Sequence, residues 1–199
     1  MRASPESPRM LQNDFLDFFT RTPWWVIPLI WVPVVTGLFH HGVVKQGASL
    51  GPALGVAFVG TFFWTLSEYA LHRSVFHWKP DTWWGPRLHF LLHGVHHDWP
   101  QDRFRLVMPP VVGFIIAAPF TLVFWAVLGP VWCFPFLAGF LAGYICYDCI
   151  HYATHHLRWS NSSFQAVKKH HLLHHHSPKH KDRKYGVSSP LWDVVFGTM

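Results

Sequence analysis

The sequence predicts an all-α integral membrane protein of about four transmembrane helices, with a cytosolic helical cap in which histidines collect. Three observations carry this expectation. Half of the 199 residues are hydrophobic and only 13% are charged, and the apolar residues arrive in long blocks rather than at an amphipathic period. If each block crosses the bilayer, fifteen of the sixteen lysines and arginines fall on one side. Fifteen of the seventeen histidines lie in two segments on that same side.

The elements follow in order. Residues 1–22 are polar and show no basic, apolar and small-residue signal pattern, so they read as a short lead-in that is not cleaved. Residues 23–199 read as one membrane domain, since the length suits a single unit and no linker or repeat divides it. The first apolar block, 24–39, is short and carries Pro28 and Pro33, which predicts a kinked or partly inserted helix. Blocks 50–71, 106–128 and 131–150 approach the ~20 residues a helix needs to span hydrocarbon. Only Gly129-Pro130 separates the last two, so they must form a tight helical hairpin that leaves and returns to one face. The twelve tryptophans, among them Trp24, Trp25, Trp31 and the pair Trp83-Trp84, suit the headgroup interface.

Charge tests this layout independently. Three basic residues precede the first block, five fall within 72–105 and seven lie from 151 onward, against Lys45 alone on the other side. The positive-inside rule assigns the crowded side to the cytoplasm. The net charge of +6 is thereby explained as topology, without nucleic acid as a partner. Cys133, Cys146 and Cys149 sit within one apolar stretch and read as small buried side chains, not a disulfide framework.

The histidines fall into four boxes: His72-x4-His77, His93-x2-His96-His97, His151-x3-His155-His156 and His171-x2-His174-His175. On a helix, positions i, i+3 and i+4 share a face, so the last three boxes each aim imidazoles in one direction. A five-residue step turns a helix by about 140°. His72 and His77 therefore require a π-bulge, a helix end or convergence on two metals. Imidazole nitrogen suits zinc, copper, iron and nickel. The ten well-spaced imidazoles, His72, His77, His93, His96, His97, His151, His155, His171, His174 and His175, exceed one tetrahedral ion, and two ions with about five ligands each is the natural division. Glu68, one turn before His72, and Asp148, three residues before His151, are the carboxylates placed to orient ligands through their second ring nitrogen; interfacial solvation is the alternative. His170, His176 and His180 read as solvated neighbours of the fourth box, while His89 and His156 are redundant at their spacing. Metallohydrolase, phosphate-loop and serine-elbow patterns are absent, which favours redox chemistry over hydrolysis. A histidine-rich transporter would place polar ligands near the bilayer midplane, and blocks two to four have almost none there.

The boxes, in this order and with a hairpin between the second and third, resemble the fatty acid hydroxylase and sterol desaturase superfamily. The residues between them narrow the likeness. TPWWVIPLIWVPVV at 22–35, EYALHR at 68–73, HFLLHGVHH at 89–97, RLVMPP at 105–110, YICYD at 144–148 and WDVVFGT at 192–198 are similar to the sphingolipid fatty acid 2-hydroxylases. That resemblance implies O2-dependent 2-hydroxylation of a long acyl chain, free or amide-linked in a ceramide-like lipid, with O2 as co-substrate. It puts two iron ions on the ten histidines above, with zinc an alternative occupant of isolated protein, and places the family's acidic partner at Asp148. It further implies the form without a cytochrome b5 domain, so that electrons come from a separate cytochrome b5-like or ferredoxin-like protein and its reductase. The membrane would be the endoplasmic reticulum in a eukaryote or the inner membrane in a bacterium. A desaturase or sterol oxidase of the same superfamily is the alternative enzyme. His170 departs from the family, which usually has Tyr before the fourth box.

Overall fold

A computed structural model describes residues 7–199; of the polar lead-in, residues 1–6 lie outside the described residues. All regular structure among the described residues is helical. Helix α1 (Asp14–Phe18) is a single turn capped by Asn13, whose side chain accepts from the Leu16 N–H. Helix α2 (Val26–His40) contains Pro33 and runs on through a π-helical turn, His41–Lys45. The block that looked short in sequence thus becomes a 20-residue rod, Val26–Lys45, long and apolar enough to cross a membrane. The polar pair His40-His41 ends the apolar run but not the helix.

Helix α3 (Leu50–Leu71) is also extended by a π-helical turn, His72–Phe76. After α4 (Gly85–His89), a third such turn, Phe90–Gly94, leads into the short α5 (Val95–Asp98). Helix α6 (Pro110–His156) is broken at Gly129, where φ 68° and ψ 177° leave the helical region. A left-handed φ is strained for any residue with a Cβ, so glycine is the residue that turns here. The arms 110–128 and 130–156 fold back on each other, with the Phe124 and Phe136 rings 4.7 Å apart and Trp125 against Phe134 at 5.5 Å. The hairpin expected from Gly129-Pro130 is therefore present, and its second arm continues past the apolar block to carry the third histidine box. Helices α7 (Ser162–His176) and α8 (Leu191–Val195) complete the chain, α7 being capped by the Asn161 side chain.

Three helices, Val26–Lys45, Leu50–Phe76 and Pro110–His156, are long and apolar enough to cross a membrane. Their outer faces suit lipid: Phe58, Leu122 and Val127 are 74%, 72% and 75% exposed, and such residues recur along every rod. Inside, α3 meets the second arm of α6 backbone to backbone. A methyl group on Gly139 would fall 1.8 Å from the Ala57 carbonyl oxygen, and the Thr61 hydroxyl donates to the Gly139 carbonyl at 2.9 Å. Small residues permit this approach, and dispersion along the seam replaces the hydrophobic drive that lipid removes. Trp31, Trp64, Phe140 and Tyr144 fill the interior between the rods.

The ends sort as the charges do. The Thr22 N–H donates to the Phe104 carbonyl at 2.8 Å, so the chain enters α2 and α6 at the same end. At the opposite end the His41 ring lies 4.4 Å from Phe134, beside the Gly129 turn. Helices α4, α5, α7 and α8 gather at the first end and cover the tips of α3 and α6.

Candidate metal centre

Under this cap the ten histidines separate into two groups. His72, His77, His93, His97 and His174 form one; His96, His151, His155, His171 and His175 form the other, and within each group one ring nitrogen per residue lies within 4.8 Å of all the rest. Residues of the first box share a group because the π-helical turn closes a five-residue step, with the His77 N–H reaching the His72 carbonyl at 3.2 Å. The α6 C-terminus supplies His151 and His155, four residues apart on one face. The second and fourth boxes divide: His93 and His97 go one way and His96 the other, and His174 parts from His171 and His175.

All ten converge through Nε2, and neighbouring Nε2 atoms within a group stand 2.9–3.1 Å apart. A metal–imidazole bond of about 2.1 Å sets adjacent ligand nitrogens about 3.0 Å apart at a right angle. The observed spacing is thus that of the edges of a coordination polyhedron. Protonation agrees. His72 Nδ1 donates to the Tyr185 carbonyl at 2.5 Å and His174 Nδ1 to the Arg183 carbonyl at 2.6 Å. A proton held at Nδ1 leaves a bare lone pair at Nε2 in neutral imidazole. Burial, reinforced by neighbouring imidazoles, pushes His93, His96, His171 and His175 well below the ordinary histidine value, and pushes His77 and His97 down to about 2. Lone pairs facing one another at 3 Å repel unless a cation lies between them, so the residues fit two metal ions.

The two carboxylates behave differently. Glu68 accepts hydrogen bonds from the Val187 N–H at 2.6 Å, the Ser188 N–H at 2.8 Å and the Ser188 hydroxyl, so its hydrogen bonds run to the C-terminal loop and not to an imidazole. Asp148 is buried, and its Oδ2 has no hydrogen-bond partner among the described residues. It lines a cavity of about 360 Å³ that also touches His93, His96 and His151, members of both groups. The remaining wall is mostly apolar, including Leu91, Val107 and Met108, and residues Met10 and Leu11 close it from the N-terminal side. A second, narrow apolar space of about 30 Å³, between Trp31, Trp64 and Phe140, shares Phe76, Met108 and Tyr147 with the first.

The other histidines stay outside both groups. His89 Nδ1 bonds the Phe76 carbonyl at 3.0 Å, His180 Nδ1 the Ser177 hydroxyl at 2.9 Å, the His156 ring packs tilted against Tyr152, and His176 is exposed. His170, expected to be solvated, is instead buried and pairs with Asp193 at 3.0 Å. Sequence reasoning gave no role to Asp193, nor to the Arg183 and Tyr185 carbonyls. The available signal was a lone acidic residue in the apolar run 191–196. Likewise unforeseen is the buried pair of Arg105 with Asp17 at 3.2 Å, which ties the N-terminal segment over the cavity.

The pattern of the fatty acid hydroxylase family matches residues 57–198. A dihydroceramide fatty acyl 2-hydroxylase of Arabidopsis thaliana is 41% identical over 197 residues, covering 99% of this chain and 82% of its own length. The ceramide very long chain fatty acid hydroxylase of Saccharomyces cerevisiae is 43% identical over 191 residues, covering 94% of this chain and 48% of its own. Human fatty acid 2-hydroxylase is 35% identical over 211 residues, covering 96% and 56%. A solved structure described as full-length scs7p, with only its hydroxylase domain visible, superposes with a TM-score of 0.87 at 41% identity, over 94% of this chain and 70% of that one.

Proposed function

The chain belongs to the fatty acid hydroxylase family, and from that premise we propose that it inserts one oxygen atom of O2 at C2 of a long fatty acyl chain, free or amide-linked in a ceramide-like lipid. The other oxygen leaves as water, with two electrons and two protons supplied. The observation that carries the proposal is the 360 Å³ cavity, whose largely apolar wall is interrupted by Asp148 and by imidazoles of both groups. The names of the relatives, acyl 2-hydroxylases of dihydroceramide and ceramide, support the substrate class.

In this reading His72, His77, His93, His97 and His174 hold one iron ion, and His96, His151, His155, His171 and His175 a second. Iron supplies the stepwise electron chemistry that ground-state O2 requires. The protein supplies placement. Ligands stand at the ends of α3 and α6, so an acyl chain lying among the rods presents its carbonyl end to them. Tyr147, Met108 and Phe76, which line both spaces, stand where the chain would run from the cavity in among the rods. Asp148, unpartnered at Oδ2, is the group at hand to accept a hydrogen bond from the head of the substrate. Burial of the site keeps bulk water away from a strong oxidant.

The positive-inside bias puts the centre on the cytosolic face, of the endoplasmic reticulum in a eukaryote or the inner membrane in a bacterium. The basic surface would draw an acidic electron donor, cytochrome b5-like or ferredoxin-like, with its reductase. Expression in a host lacking 2-hydroxylated lipids, followed by lipid mass spectrometry, tests the reading. Lipids heavier by one oxygen with unchanged unsaturation are expected, and His174→Ala should abolish them at equal protein level. Products lacking two hydrogens would mean a desaturase.

A further inference from the structure

The two imidazole groups differ in what lies behind them. In the group around His72, two rings donate from Nδ1 to main-chain carbonyls, those of Tyr185 and Arg183. In the other group the Nδ1 atoms of His96, His151, His155, His171 and His175 are all buried and meet no acceptor among the described residues. One loop therefore backs one ion site only.

A carbonyl in a loop points where its peptide is held, and here two carboxylates hold it. Glu68 takes the N–H groups of Val187 and Ser188. Asp193, fully buried, takes those of Tyr185 at 2.9 Å and Gly186 at 2.8 Å, together with the Thr198 hydroxyl at 2.7 Å. Four successive main-chain donors, 185–188, thus converge on two carboxyl groups. The residue between the two carbonyls, Lys184, is in the left-handed region at φ 59°, and its N–H is tied to the Thr198 carbonyl at 2.8 Å. That conformation is costly for lysine and persists only where its surroundings enforce it.

We infer that Glu68 and Asp193 are positioning residues for the ion held by His72, His77, His93, His97 and His174. They act through the loop: by fixing residues 185–188 they aim the Arg183 and Tyr185 carbonyls at His174 and His72, which sets the tautomer and the angle of both rings. The inference rests on the two-ion reading above. Outer partners of this kind change metal affinity by about 10–100-fold, and the loop offers the other group's ligands nothing; Asp193 also pairs with His170, beside His171, so Glu68→Gln is the variant that acts through the loop alone.

The test counts ions. Wild-type protein, Glu68→Gln and Asp193→Asn are purified in detergent, loaded anaerobically with ferrous ion, dialysed against a graded series of chelator concentrations and analysed for iron per chain. Both variants should keep wild-type helix content and a single elution peak. They should lose one ion at about 10–100-fold lower chelator concentration, while the other follows the wild-type curve. Where only that ion remains, adding His171→Ala to Asp193→Asn should remove it, and adding His77→Ala should change nothing. Release of both ions on the wild-type curve, or of the His171 ion first, overturns the inference. If wild-type protein itself holds fewer than two ions, the two-ion reading falls and takes the inference with it. If it holds two and the variants match it, the inference alone falls. Should both carboxamide variants fail to fold, Ser188→Ala, which removes one of the three Glu68 partners, must shift the same ion in the same direction; no shift overturns the inference.

Discussion

Histidine takes its charge from where the fold puts it. His93, His96, His171 and His175 are buried among other imidazoles, and burial first, then mutual repulsion, holds them neutral. For His77 and His97 the same causes lower the folded value to about 2, against about 6.5 in an unfolded chain. Between those limits the unfolded chain binds more protons than the native one, so stability falls as pH falls below about 6.5. Metal-free protein in detergent should therefore melt at a lower temperature at pH 5 than at pH 8; equal midpoints would contradict neutral burial. At this scale the sequence is legible for the converging imidazoles, because i, i+3 and i+4 spacing needs only helix geometry. It is not legible for their supports. The Tyr185 and Arg183 carbonyls carry no side-chain signature, and Glu68 and Asp193 act on a loop whose approach no local pattern encodes.

Between residue and fold, the π-helical turns decide most. The step from His72 to His77 demands one, and the chain provides it at His72–Phe76. The turns at His41–Lys45 and Phe90–Gly94 have no such warning in their spacing. Elements also set how closely the rods approach. At Gly139 any side chain meets the Ala57 backbone, whereas Gly51, earlier on α3, has nothing within 4 Å of where a Cβ would lie. Gly139→Val should separate α3 from the second arm of α6, and Gly51→Ala should not. Folded yield and thermal midpoint in detergent measure this, with wild-type-like behaviour of Gly139→Val as the contrary result.

Across the whole molecule, one end gathers the basic segments, the cap and both imidazole groups, while Lys45 stands at the other. Sidedness follows and is open to measurement. In a cysteine-free background, cysteines introduced at Trp83 and Lys179, both exposed, should react with an impermeant thiol reagent from one side of sealed vesicles. A cysteine at Lys45 should react only from the other. Reaction of all three from one side would refute the crossing of the bilayer by α2 and α3. The N-terminal segment belongs to this scale too: the buried Arg105–Asp17 pair closes the cavity beside His93 and His96 across 88 residues of sequence.

The sequence by itself determined the helical class, the apolar blocks after the first, the Gly129 hairpin, the segments in which charge collects and the ten converging histidines. Each depends on composition or on spacing within one helix, which the chain states locally. Only the tertiary structure decided how the ten divide. His96 and His97 are neighbours in one box, yet a step of one residue turns a helix by about 100°, so they face different groups. His174 and His175 part in the same way. Which face meets which group depends on how α5 and α7 lie across the tips of α3 and α6, and that placement is set by packing between segments far apart in sequence.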